Sequence, residues 1–318
     1  MRPARARRPS RGAWRAPRVP PDRPRDPPLR RRAIGGSIRL VAADLDGTLV
    51  GGAIWARRSA RRPSPRVLAA VEACRARGVV VVAVTARRWV TAAAVLRELR
   101  GAPLAVVCGG TEVRDVATGR ELVSSRLPPG VVAAACERIA SCGLQPMVDE
   151  DGGSRAGHPR ADGIAASTYL RRVRARRVHA AELAGPGASR VLAMGGRSRC
   201  ELAARRCAGL PARTLLQRCI VDADSTGETP TELHVMAADK GDAVRTLCRL
   251  LGVPRARTLA IGDAESDLPM LRAAGVAVLM GQATASMVRP GFVVAPPVTA
   301  DGAAWALETL VLDGSRPA

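Results

Sequence analysis

Asp44-Leu45-Asp46-Gly47-Thr48 follows directly on the apolar run Leu40-Val41-Ala42-Ala43. Two carboxylates two residues apart, at the C-terminal end of a buried strand, repel one another and lose hydration. A cation held between them removes that penalty, and a site built of oxygens suits Mg²⁺. Gly47 lets the backbone turn sharply away from the strand. Asp and Gly are also ordinary turn residues, so the pair alone leaves an acidic turn open as the simpler reading.

Two further segments stand at the ends of apolar runs. Thr85-Ala86-Arg87 follows residues 79–84, and Gly262-Asp263-Ala264-Glu265-Ser266-Asp267 follows residues 258–261. In an open parallel sheet such strand ends gather in one crevice, where ligands bind. Composition adds a fourth position. Of 50 basic residues other than histidine, Lys240 is the single lysine. A compact ammonium fits beside a carboxylate and a phosphoryl oxygen where the wide guanidinium does not.

The elements that must position these residues are legible from periodicity. From Ile38 onward, short apolar runs alternate with helix-like segments, which predicts an α/β fold with a doubly wound parallel sheet. Strands are predicted over 39–43, 79–84, 104–108, 232–235, 258–261, 276–280 and 292–294. Helices are predicted over 64–77, with Ser64-Pro65 as cap and first turn, and over 89–99, 240–251, 268–274 and 302–312. The intervening residues 112–229 mix a hairpin (111–116 with 120–123), helices near 131–142, 166–176 and 200–207, and short strands near 145–148, 190–194 and 215–221. They read as a separate α+β insertion. The doubly wound domain is then 38–111 together with 230–318.

The chain has 318 residues and a formal charge of +22, and residues 1–32 hold twelve arginines against two aspartates. With eight prolines and few bulky apolar groups, residues 1–37 read as a disordered tail. They lack the apolar segment of a signal peptide and the aromatic platform of a nucleic-acid arm, so membrane and nucleic-acid partners are not expected. Aromatics are scarce, so the core must be built of Ala, Val and Leu. Eight scattered cysteines without Cys-x-x-Cys spacing read as reduced thiols. A cytoplasmic protein is expected.

Taken together the motifs resemble the haloacid dehalogenase superfamily, and within it the Cof-like phosphatases with a large cap between the second and third motifs. The resemblance covers roughly residues 38–313, with Asp44–Thr48, Thr85–Arg87, Lys240 and Gly262–Asp267 in order. It implies a Mg²⁺-dependent phosphatase acting on a small phosphorylated metabolite through an aspartyl-phosphate. Asp44 would be the nucleophile and Asp46 the acid/base. Asp44, the Asp46 backbone carbonyl and Asp263 would hold the metal. Thr85, Ala86 and Lys240 would cradle the phosphoryl group, with Asp267 and Ser266 in support. A phosphomutase or a dedicated glycosyl-phosphate phosphatase would keep the same core residues, and an inactive basic-tailed nucleic-acid-binding protein is the alternative of another class. Ala86, Ser266 and Cys108-Gly109-Gly110 depart from the commoner Gly, Asn and Asn-Gly-Ala of such relatives.

Other positions read as structural. Arg87 suits either a substrate anion or a structural pair. The arginines at 171, 172, 174, 176 and 177 read as a solvated helix face, and His234 as a packed core residue. His158 and His179 lack metal-ligand spacing.

Overall fold

The computed structural model describes residues 37–51, 62–99, 102–150, 153–157, 170, 174–218 and 230–314. In chain order, the first half comprises β1 (Leu40–Ala43), α1 (Pro65–Ala76), β2 (Val80–Val84), α2 (Trp89–Glu98), β3 (Leu104–Val107), β4 (Glu112–Asp115), β5 (Glu121–Ser124) and α3 (Pro129–Ala140). Next come β6 (Met147–Glu150), β7 (Gly153–Ala156), β8 (Arg176–Arg177), β9 (Ala188–Gly195), α4 (Arg197–Cys207), β10 (Arg213–Arg218) and β11 (Thr231–Met236). The remainder is α5 (Lys240–Leu251), β12 (Thr258–Gly262), α6 (Leu268–Ala273), β13 (Val276–Met280), β14 (Val293–Ala295) and α7 (Gly302–Ala306). From Leu307 to Leu312 the last helix continues with wider, π-type hydrogen bonding.

Among the described residues, one sheet has the order β14-β13-β12-β1-β2-β3-β4-β5. The pairs from β14 to β3 are parallel. β1 lies at the centre, and strand order runs away from it in both directions. That is the switch point at which an open α/β sheet forms its binding crevice. Side-chain alternation splits the core into two layers. Val41, Ala43, Val81, Ala83 and Ile261 face the layer of α1, α2 and α7. Leu40, Ala42, Val82, Val84 and Ala260 face α5 and α6. All four β1 residues are buried, as expected of a strand covered on both faces. Ser64 caps α1 through its hydroxyl, which accepts from the Val67 amide at 3.1 Å.

The second sheet has the order β10-β11-β9-β6-β7-β8. One face, including Val148, Val191, Ala193, Leu233 and Val235, packs on α3 and α4. The opposite face carries Arg190, Gln217 and His234 toward the end of the first sheet.

Two expectations are corrected. The hairpin β4–β5 is not part of the insertion's sheet: β4 pairs antiparallel with β3 and extends the core sheet. The tight turn at Cys108–Gly110 folds β4 directly alongside β3, and Val113 packs into the core layer. Residues 232–235 are not a core strand either. β11 pairs antiparallel with β9 and β10. Its alternation Glu-Leu-His-Val suits a sheet packed on helices by one face, unlike the unbroken apolar run of a doubly covered parallel strand.

Of the helix expected over 166–176, Arg176 instead belongs to β8, and most of the rest lies outside the described residues. The tail at 1–36, His158, Arg171 and Arg172 also lie outside them. The seven described cysteines are free thiols. Among the described residues no helix is long and apolar enough to cross a membrane.

Candidate active site

The site forms where β1, β2 and β12 end together. Asp44 follows β1 and its amide donates to the Ile261 carbonyl of β12 at 2.9 Å, which fixes where its carboxylate emerges. Thr85 follows β2, its amide donating to the Val106 carbonyl at 2.9 Å. Asp263 follows β12. Gly47 turns the chain with φ +76, and a Cβ there would strike the Asp263 carboxylate, so this turn admits only glycine against the acid.

Lys240 opens α5 and is buried. Its Nζ donates to Asp44 Oδ1 and to Asp267 Oδ1, each at 2.6 Å. The helix start is locked by a reciprocal cap in which Asp239 accepts from the Asp242 amide at 2.8 Å and Asp242 accepts from the Asp239 amide at 3.1 Å. Gly110 lies against this helix start with φ +117. A Cβ there would collide with the Asp239 carbonyl and come within 2.7 Å of the Lys240 nitrogen. Asp267, fully buried, uses its second oxygen to accept from the amides of Asp263 and Ala264, both at 2.9 Å. One carboxylate thereby fixes both the lysine and the loop bearing Asp263.

Asp46 points elsewhere. Arg87 grips its carboxylate in a fork, Nε donating to Oδ2 at 2.8 Å and Nη2 to Oδ1 at 2.5 Å. Of the two uses open to Arg87, the structure shows an ion pair with Asp46. The Thr85 hydroxyl accepts from the Arg87 amide at 3.1 Å, leaving its own proton to donate. Ala86 and Ser266 line the adjoining cleft.

Charge is not balanced here. Burial, reinforced by the nearby Asp267, pushes the Asp44 carboxyl well above the usual carboxylate range, although Lys240 opposes it. Burial and then Asp267 raise Asp263 to about 6. Burial would lower Lys240, yet the carboxylates of Asp267 and Asp44 overcome it and hold the ammonium charged. Oxygens of Asp44, Asp263 and Asp267 lie within 4.8 Å of one another. With all three carboxyls ionised, one ammonium leaves two negative charges uncompensated, which adds to burial in raising Asp44 and Asp263, and Asp263 Oδ1 is buried without a hydrogen-bond partner. An all-oxygen donor set with that deficit fits a hard divalent cation. The side chain of Asp46 is outside this cluster.

Sequence reasoning missed Gln282. Its Nε2 donates to the Gly47 carbonyl at 2.6 Å and to Asp263 Oδ2 at 3.2 Å. No motif marks it; its place just beyond the end of β13 is the signal that points to the crevice. Also unforeseen was the cleft wall contributed by the second sheet, where Arg190, Arg213, Gln217, His234 and Met236 face Ala86, Gly109 and Lys240. Arg190 spans the two sheets, Nε donating to Asp149 Oδ2 at 2.6 Å and Nη1 to the Ala86 carbonyl at 3.3 Å.

Residues 41–307 match a family described as haloacid dehalogenase-like hydrolase. The chain belongs to the haloacid dehalogenase-like hydrolases. Among members with curated descriptions, it is 42% identical over 59 residues to phosphatase YwpJ of Bacillus subtilis, a stretch covering 19% of this chain and 21% of that protein. It thus spans about a fifth of that relative. Solved structures extend the likeness over the fold. A phosphatase of this superfamily from Bacteroides thetaiotaomicron superposes with a TM-score of 0.69 at 17% identity, covering 88% of this chain and 97% of that one. A subclass IIB sugar phosphatase gives 0.67 at 17% identity, covering 85% and 98%. The family and the doubly wound parallel-sheet fold expected from the four motifs are therefore those found.

Proposed function

We propose that this hydrolase is a Mg²⁺-dependent phosphatase that cleaves a small phosphorylated metabolite through an aspartyl-phosphate. One observation carries the reading. Lys240 is shared between Asp44 and Asp267 at 2.6 Å each, within a cluster of acids whose charge is uncompensated. Such an arrangement neutralises a phosphoryl oxygen while leaving a carboxylate oxygen free to attack. The phosphatase names of relatives and of the similar solved structures agree with it.

In this reading Asp44 attacks phosphorus and Lys240 offsets charge on the phosphoryl oxygens. Thr85 donates its hydroxyl proton to one of them. Asp46, presented by Arg87, protonates the leaving oxygen and then activates the water that releases phosphate. Asp44, Asp263 and the Asp46 carbonyl would hold Mg²⁺, with Asp267 and Ser266 in support. The metal, when bound, supplies positive charge against the phosphate dianion. We assign the cap to the chain between β5 and α5, which adjusts the boundaries expected from sequence to the observed sheets. A cytoplasmic enzyme acting on a diffusible ester is the setting this chemistry suits.

Hydrolysis of p-nitrophenyl phosphate with Mg²⁺ tests the reading. Wild-type protein should release nitrophenolate, and Asp44→Asn should abolish release while circular dichroism shows an unchanged fold. Turnover retained in Asp44→Asn would refute the nucleophile.

A further inference from the structure

The turn that carries Thr85 is held by three successive carbonyls, and one of the three donors comes from the other sheet. The Thr85 carbonyl accepts from the Gly109 amide at 3.0 Å, and the Arg87 carbonyl from the Cys108 amide at 2.8 Å, both on the turn that follows β3. Between them, the Ala86 carbonyl accepts from Arg190 Nη1 at 3.3 Å. The Ala86–Arg87 peptide is planar and trans, so its carbonyl and its N–H point to opposite sides. That N–H donates to Thr85 Oγ1 at 3.1 Å. Arg190 and the Thr85 hydroxyl thus hold opposite edges of one rigid plate.

The place of Arg190 is fixed independently of that turn. On β9 it is the direct cross-strand partner of Asp149 on β6, and both are buried. Its Nε donates to Asp149 Oδ2 at 2.6 Å, while the Ser154 hydroxyl donates to the other oxygen. A buried arginine neutralised by a buried carboxylate is committed, so its charge is not what it brings to the cleft. What it brings is direction: the planar guanidinium seated on Asp149 through Nε presents Nη1 to Ala86. Thr85 has one proton to give, and the lone pair taken by the Arg87 amide sets the arc left for that proton.

We propose that Arg190 is a positioning residue: by holding the Ala86 carbonyl from the second sheet, it fixes the plane of the Ala86–Arg87 peptide and so the direction in which Thr85 offers its hydroxyl proton to a phosphoryl oxygen. The proposal rests on the phosphatase reading for the place of the phosphoryl group at Thr85. Asp149 acts through Arg190, anchoring the guanidinium whose other arm meets the turn.

A double-mutant cycle with Thr85→Val, which removes the hydroxyl and little else, reads the connection. Arg190→Lys keeps a cation on Asp149 but has no second arm for Ala86. In the Thr85 background it should lower kcat/KM on p-nitrophenyl phosphate with Mg²⁺ by about tenfold, the scale of one hydrogen bond of about 1.4 kcal/mol. In Thr85→Val the same substitution should cost about twofold or less, because the group it positions is gone. A packing defect would add its full cost in both backgrounds. Equal losses in the two, or an unchanged rate in Arg190→Lys, would overturn the assignment. Should Arg190→Lys fail to fold, Asp149→Glu, which displaces the guanidinium by one methylene, takes its place in the cycle with the same expected pattern. Calorimetric binding of inorganic phosphate repeats the cycle without turnover and separates the two readings. Coupling of Arg190 to Thr85 there supports the positioning role even where no ester is hydrolysed. Hydrolysis by the wild type without such coupling overturns the role and leaves the phosphatase reading standing, whereas neither hydrolysis nor phosphate binding overturns both.

Discussion

Arg87 holds both carboxylate oxygens of Asp46, with Nε donating to Oδ2 at 2.8 Å. The pair joins the residue after β1's turn to the residue after β2's, and it is buried on the arginine side. Its consequence is orientation: the fork leaves Asp46 a single direction in which to present itself. Lysine keeps the charge and loses the fork. Arg87→Lys is expected to lower kcat on p-nitrophenyl phosphate by about tenfold to a hundredfold, the range of a general acid–base contribution, with a smaller change in KM. Steady-state kinetics measures the split, and an unaltered kcat would count against orientation.

The proposed mechanism requires Lys240 as a compact ammonium. Lys240→Arg preserves the charge but cannot place one donor 2.6 Å from two separate carboxylates without displacing them. We expect a loss of turnover of about a hundredfold or more, the scale of a removed oxyanion donor. Gly110→Ala should give a related defect from a distance. It forces a left-handed backbone position to accept a Cβ directed into the Asp239 carbonyl, costing about 1–3 kcal/mol of strain and shifting the start of α5. Urea unfolding and kinetics on the same preparation read both effects.

The clustered acids of Asp44, Asp263 and Asp267 are expected to make stability respond to a divalent cation. Adding MgCl₂ to chelator-treated protein should raise Tm, by roughly 5 °C at a hundredfold excess over Kd. Asp263→Asn should remove most of that gain while leaving the metal-free Tm equal or higher, since it relieves a buried charge. Differential scanning fluorimetry with and without Mg²⁺ is sufficient, and a full Mg²⁺ response in the variant would place the cation elsewhere.

Asp149 supplies a pH signature remote from the metal ligands. Burial would raise its carboxyl, but Arg190, then Arg88 and the Ser154 hydroxyl, outweigh it and hold it below the ordinary carboxylate value. A carboxyl with a lowered folded pKa stabilises the protein above its unfolded value of about 4 and loses that contribution as pH falls below it. Asp149→Asn should therefore destabilise by about 3–5 kcal/mol at pH 7, where Arg190 loses its carboxylate partner, and by progressively less below about pH 4. Denaturant titrations at both pH values check the sign; a constant difference would mean that Asp149 stays protonated in the fold.

Much of the core was legible because the physics there is local. A β-branched run such as Val80–Val84 has one use in an α/β chain, and Ser64-Pro65 starts a helix by its own chemistry. Asp44, Asp46, Lys240 and Asp263 stood out because buried charge is costly enough to be placed sparingly. The hairpin β4–β5 and strand β11 were assigned to the wrong sheets because a strand's neighbours are chosen by non-local pairing. His234 is packed, as read from the sequence, but its partners Glu232 and Gln217, the latter on the neighbouring strand β10, are visible only once β10 and β11 are paired. Gln282 carries no motif, so only the assembled sheet reveals it.

β11 ends at Met236 and α5 begins at Lys240. The strand that walls the cleft and the lysine shared by Asp44 and Asp267 thus sit on one short, uninterrupted piece of backbone. A graft that alters the register of β11 would also drag on Lys240, so under the proposed mechanism the second sheet is not an independent, exchangeable part.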